Sequence, residues 1–130
     1  MDKLNRIDDS MKYTEEWNRY LRSLSHDYGE PTKLIWISKR RKKYVLEFEK
    51  TQTLVINDDV YKFNEILSCG IENALPMQVG AFKTTKPYIL LVRTSNRTNL
   101  LVALTVWGMS QAYAIYELIQ DIIKSKVLSE

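Results

Sequence analysis

The chain has one cysteine, one histidine, four glycines and three prolines in 130 residues, and each shortage narrows what it can be. Cys69 alone cannot close an intramolecular disulfide, and no Cys/His spacing suits zinc, so neither covalent staples nor a metal are expected. That cysteine usage fits a reducing compartment, and the cytoplasm is the expectation. A glycine-rich phosphate loop is missing, and no cofactor or small-molecule substrate is indicated. Long apolar runs are lacking too. The longest, Leu100 to Met109, is interrupted by Thr105 and is about half of the roughly 20 residues that a spanning helix needs. The start, Met1-Asp2-Lys3-Leu4-Asn5-Arg6, has no basic stretch followed by an apolar run, so no secretory signal is expected. Charge of one sign is scarce as well: 19 basic residues against 16 acidic ones leave a net +3, too little to steer a polyanion by overall field.

What is present is the composition of a packed globular fold, 45% hydrophobic and 27% charged, in a length that fits one domain, residues 1–130. The clearest element is an amphipathic helix over Ser110 to Lys126. Ala112, Ile115, Ile119 and Ile122 recur at helical steps, and Leu118, Ile123 and Val127 widen the stripe. Ser110 is placed as its N-cap, with Lys124 and Lys126 at the negative end of the dipole. Before it, Leu100-Leu101-Val102-Ala103-Leu104-Thr105-Val106-Trp107 reads as a strand apolar on both faces that needs cover, and the helix is the expected cover. A second amphipathic helix spans about Asp9 to Asp27, within an N-terminal extension over 1–30; the first seven residues are expected outside it. Tyr13, Trp17, Tyr20, Leu21 and Leu24 form its seam, with Tyr28 as a candidate at its end, and Gly29 and Pro31 stop it. The seam is expected to pack on the domain, with docking of a partner helix as the alternative.

After Pro31 the period becomes strand-like. Lys33 to Ser38 and Tyr44 to Glu49 flank the run Lys39-Arg40-Arg41-Lys42-Lys43, which predicts a hairpin with one solvated face. Glu47 and Glu49 are read as cross-strand charge partners of the cations. Thr53 to Ile56 makes a third strand, and Asn57-Asp58-Asp59 is turn chemistry that tolerates left-handed backbone. Tyr61 to Leu67 suits a helical turn or a strand entry. Ser68 to Asn73 is a strand in which Gly70 suggests a bulge or a close backbone approach. Gln78 to Phe82 is a candidate edge strand. Tyr88 to Thr94 pairs with the Leu100 to Trp107 strand across a polar connector.

This order resembles the pleckstrin-homology-like superfold in its small bacterial form. The resemblance rests on Thr53-Leu54-Val55-Ile56-Asn57-Asp58, on Tyr61-Lys62-Phe63-Asn64-Glu65-Ile66-Leu67-Ser68-Cys69-Gly70-Ile71-Glu72, and on the Ala112/Ile115/Leu118/Ile119/Ile122 helix. It covers about residues 33 to 126. It implies an α+β fold: a bent antiparallel sheet of six to seven strands, in a barrel or sandwich, closed by the C-terminal helix, with the N-terminal helix as an addition. Eukaryotic members carry a tryptophan within the closing helix; here Tyr113 and Tyr116 lie there and Trp107 precedes it. In pleckstrin-homology domains the first hairpin loop grips inositol phosphates, so the resemblance nominates Lys39, Arg40, Arg41, Lys42 and Lys43 for an anionic surface.

Five adjacent cations repel one another and therefore sit where water or an anion screens them. A solvated tip that blunts edge-to-edge aggregation is one reading; an anion site is the other. Nucleic-acid binding would add Trp36, Tyr44 and Tyr88 as stacking platforms. Catalysis finds no foothold: His26 lies at the end of a polar helix, and Cys69 is read as a small buried hydrophobe. The expected function is therefore that of a non-enzymatic interaction module whose partner is another protein. The alternative is anion binding through Lys39 to Lys43, to membrane phosphates or nucleic acid.

Overall fold

The computed structural model describes residues 2–73, 78–79, 82–83 and 87–129, with side-chain surroundings over 15–73 and 87–126. Helix α1 (Asp2–Tyr28) starts at Asp2 instead of Asp9; no proline or glycine lies between the two to stop it. It ends as expected at Gly29, whose φ of +87° and N–H bond to the Ser25 carbonyl (2.8 Å) form a left-handed cap. Trp17, Tyr20, Leu21, Leu24 and Tyr28 share one face and pack on Trp36, Tyr44, Leu46, Phe48, Val55 and Val60. From Trp17 to Tyr28 the aromatic seam is thus spent inside the protein and is not a docking face; the surroundings of Tyr13 lie outside the described residues.

Those partners belong to a four-stranded antiparallel meander: β1 (Lys33–Ser38), β2 (Lys43–Phe48), β3 (Thr53–Ile56) and β4 (Asp59–Lys62), in that order. Strand β2 corrects the expected solvated face, because Tyr44 to Phe48 are all buried. Tyr44, Leu46 and Phe48 point to α1 while Val45 points inward. Glu47 also corrects its assignment as a cross-strand partner of the cations. It is buried, and its Oε1 accepts a bond from Thr32 Oγ1 at 2.8 Å. Strand β4 was not anticipated. The Asn57-Asp58 turn before it holds both residues at positive φ, 48° and 75°, the geometry of a two-residue hairpin.

A 3₁₀ turn at Phe63–Glu65 then redirects the chain into a second antiparallel sheet of β5 (Ile66–Asn73), β8 (Tyr88–Thr94) and β9 (Leu101–Val106), ordered β5-β8-β9. The expected single bent sheet is therefore two sheets, of four and three strands. The expected strand over Gln78 to Phe82 is replaced by a ribbon of β6 (Gln78–Val79) and β7 (Phe82–Lys83); residues 80–81 lie outside the described residues. Gly70 forms no bulge and no close approach: it pairs in register with Leu91, a Cβ there would meet nothing within 4 Å, and the register slips at Leu67 instead.

Helix α2 (Met109–Ser129) starts one residue before the expected cap. The Gly108 carbonyl accepts the first helical bond, from Ala112 N–H at 3.0 Å, so Ser110 lies inside the first turn. Its buried stripe, Ala112, Ile115, Leu118, Ile119 and Ile122, joins Val45, Leu54, Ile56, Ile66, Leu90, Val92, Leu104 and Val106 in the main core. Burying each aliphatic side chain there contributes about 1.5–3 kcal/mol. The helix lies chiefly along β5, with lesser contact to β1, β8 and β9. Gln120 Nε2 donates to the Cys69 carbonyl at 2.9 Å, and Lys126 Nζ to the Asn64 and Ile66 carbonyls at 3.2 and 2.6 Å. The free edge of β5 is thereby capped by side chains. Strand β9 is not apolar on both faces in use: Leu104 and Val106 are buried, while Leu101, Ala103 and Thr105 are exposed.

Candidate binding groove

The basic run closes the β1–β2 hairpin. Lys42 takes φ 54°, its N–H bonds to the Lys39 carbonyl at 3.2 Å, and Arg41 N–H bonds to Ser38 Oγ at 3.3 Å. This tight turn divides the cations by direction. Lys39 and Arg40 are exposed. Lys42 Nζ reaches back to Glu16 Oε2 of α1 at 3.1 Å. Arg41 and Lys43 turn to a groove of about 700 Å³ lined by Ile37, Ser38, Arg41, Lys43, Asn57, Ala103, Leu104, Thr105 and Trp107. Of the five nominated cations, Arg41 and Lys43 line the groove.

The groove is the seam between the two sheets. It touches the consecutive residues 103, 104 and 105 of β9 and the consecutive residues 37 and 38 of β1. Successive side chains of a strand point to opposite faces, so a cavity that meets all of them runs along the strand edges. Both strands are terminal in their sheets. The β1–β2 register shifts between Trp36 and Ser38, leaving Ile37 as the irregular residue that turns this edge toward the groove. Leu104 is buried; Trp107 at the rim is 63% exposed.

Asn57 ties the groove to the body of the protein. Its Oδ1 accepts the Tyr44 N–H at 2.8 Å, and its own N–H donates to the Tyr44 carbonyl at 3.0 Å. The Tyr44 hydroxyl bonds to Asp58 Oδ1 at 2.7 Å and to the Tyr20 hydroxyl. Each phenol has one proton, so Tyr44 donates to the carboxylate and Tyr20 donates to Tyr44. Burial first, then these bonds and the Asp58 charge, push the Tyr44 phenol far above its ordinary value. Burial also raises Tyr20. Through Glu16 and Tyr20, α1 holds both loops that border the groove.

Other candidates separate in space. Tyr44 is buried, and Trp36 lies 4.7 Å from Trp17 under α1, so neither ring is a stacking platform. Tyr88 is half-buried against Tyr113 at 5.9 Å. His26 is solvent-exposed beside Asp27. Cys69 is buried, and burial pushes its thiol up to about 11. Among the described residues no group of three or more His, Cys, Asp or Glu could hold a metal, and no helix is long and apolar enough to cross a membrane. The sequence pointed to Arg41 and Lys43. It missed Ala103, Thr105 and Trp107, whose only signal is that residues 101, 103, 105 and 107 share one parity opposite Leu104 and Val106, and it marked Asn57 only as a turn residue. Compared with known proteins, the chain matches no family model, no curated protein and no solved structure.

Proposed function

We propose that this chain is a non-enzymatic, protein-binding module of bacterial pleckstrin-homology-like form, with the β1/β9 seam as its binding site. The architecture supports that form: a four-stranded meander, a three-stranded sheet and a C-terminal helix in the core between them. The observation that carries the function is the groove itself, where two strand edges that pair with no other strand among the described residues, an exposed tryptophan and two cations converge. Exposed Leu100, Leu101, Trp107 and Met109 extend an apolar rim beside it, and clustered exposed apolar side chains mark interaction surfaces. Affinity capture from the native host tests the reading. The native chain recovers a partner that Trp107→Ala combined with Arg41→Glu loses at least about tenfold. Equal recovery by both chains refutes the assignment of the site.

Anion binding through the tip is the second reading, and Arg41 and Lys43 favour it because no carboxylate forms an ion pair with either among the described residues. Anionic vesicles or a polynucleotide would then bind with steep salt dependence.

A further inference from the structure

We infer that the seam takes an extended acidic segment of another protein, which adds as a strand to the free edge of β9 while its carboxylates meet Arg41 and Lys43. The inference deepens the binding-module reading and rests on it. Three observations carry it. The first is the state of the edge. Thr94 N–H bonds to the Leu100 carbonyl at 3.0 Å, so Leu100 sits in a hydrogen-bonded pair of the β8–β9 ladder. Such pairs alternate with outward-facing ones in antiparallel sheets. In the register Arg93↔Leu101, Leu91↔Ala103 and Ile89↔Thr105, the N–H and C=O groups of Leu101, Ala103 and Thr105 therefore point away from β8, along the groove. They form a row of donors and acceptors at strand spacing.

The second observation is the contrast with the opposite edge of the same sheet. On β5, Gln120 and Lys126 satisfy edge carbonyls from α2; on β9 the edge borders the groove. Proteins normally cover such an edge, because it templates pairing with another chain. The third is charge. Arg41 and Lys43 line the groove opposite the 103–107 segment, which suits a strand with Asp or Glu at alternate positions.

Charge and backbone chemistry decide the occupant. A second copy pairing through its own β9 would bring Leu101 to Val106, a stretch with no carboxylate, and leave both cations unmatched. A lipid surface would leave the outward N–H and C=O groups of β9 without partners, which hydrocarbon strongly disfavours. A polypeptide strand satisfies edge and cations together.

The test selects 12-residue peptides from a displayed random library on the full chain and follows the best one by amide hydrogen exchange. Selected peptides are expected to alternate Asp or Glu with β-branched residues. Binding should slow exchange at Leu101, Ala103 and Thr105, with little change at Val102, Leu104 and Val106, whose N–H groups already bond to β8. Arg41→Glu with Lys43→Glu should weaken binding at least tenfold, and Ala103→Pro should abolish it. A Thr105→Pro variant covers the case in which the first proline unfolds the strand. Peptides that need Arg41 and Lys43 but leave the three amides unprotected overturn strand addition and leave the groove reading intact. Peptides indifferent to the charge reversal and to both prolines overturn the groove reading as well. Concentration-dependent protection of the same amides without peptide, together with a dimer in sedimentation, assigns the edge to a second copy and overturns the inference. Binding of phosphatidylglycerol vesicles that blocks peptide binding assigns it to a membrane surface, with the same result.

Discussion

Replacing Tyr44 by phenylalanine deletes one oxygen from a side chain that is 1% exposed, and the expected outcome depends on pH in a way that tests the hydrogen-bonded chain from Tyr20 to Asp58. At neutral pH the variant loses a bond to a carboxylate and one to a phenol. A buried hydrogen bond to a charged group is worth about 1.5–3 kcal/mol. Asp58 is exposed and Tyr20 is partly exposed, so water replaces part of what is lost, and the cost should be about 1.5 kcal/mol. Above pH 10 the balance changes. The folded Tyr44 phenol is raised well above its ordinary 10.0, so it stays protonated in the native state while the unfolded chain ionises. The stabilisation is fully present below the unfolded value and is lost as pH rises past it, by about 1.4 kcal/mol per pH unit. The phenylalanine variant has no such group and no such loss. The gap between the two proteins should therefore close to nearly zero by about pH 11. Urea denaturation at pH 7, 9, 10 and 11 reads this directly, with Trp17 and Trp36 as fluorescent reporters beside Tyr44 and midpoint shifts converted through the slope. A gap that stays constant from pH 7 to 11 would show that Tyr44 ionises freely in the native state, and the proposed chain of hydrogen bonds would be wrong.

Three further outcomes follow from the packing. Trp17→Ala should cost about 2–4 kcal/mol, less than a fully buried tryptophan because the ring is half-buried, and should reduce the near-UV circular dichroism of the aromatic cluster; an unchanged spectrum contradicts the docking of α1. Lys126→Met should cost about 1–2 kcal/mol by leaving the Asn64 and Ile66 carbonyls without their donor, with faster amide exchange confined first to the 3₁₀ turn and β5; a change of under a few tenths would deny the tether. Cys69 should resist thiol reagents at pH 8, because burial holds its thiol near 11 and only the thiolate reacts. Its modification rate should follow unfolding in a urea series, and fast labelling of the native protein contradicts its burial.

Much of the fold was legible because periodicity and punctuation agree in the same places. The α2 stripe, the Gly29 stop and the Asn57-Asp58 turn each combine a pattern with a residue whose backbone preference demands it. What escaped had a physical reason. Strand β4 has four residues, two of them charged, and its apolar content is Val60 and Tyr61 alone, too short for an alternation to register. In sequence, strand β2 looks half-solvated because Glu47 and Glu49 occupy alternate positions. Local pattern does not reveal that Thr32 satisfies Glu47 from fifteen residues away, nor that α1 covers the face bearing Tyr44, Leu46 and Phe48. The groove was legible only in its cations. Its far wall, residues 103–107, lies some sixty residues along the chain, and parity within β9 separates two faces without saying which one is buried.

The two faces of the first sheet are finished at different times as the chain is made. Helix α1 and strands β1 to β4 are consecutive in sequence, so the cluster around Tyr44, Leu46 and Phe48 can close once residue 62 has emerged. The opposite face, with Val45, Leu54 and Ile56, waits for Ile115, Ile119 and Ile122 of α2. A chain truncated after Gly108 is therefore expected to keep the aromatic cluster and to bind a hydrophobic dye at the other face. Absence of dye binding would mean that the early half repacks without its helix. During synthesis this half-built sheet presents an apolar surface until α2 arrives, which makes the interval before residue 109 the time when the nascent chain most needs protection from its neighbours.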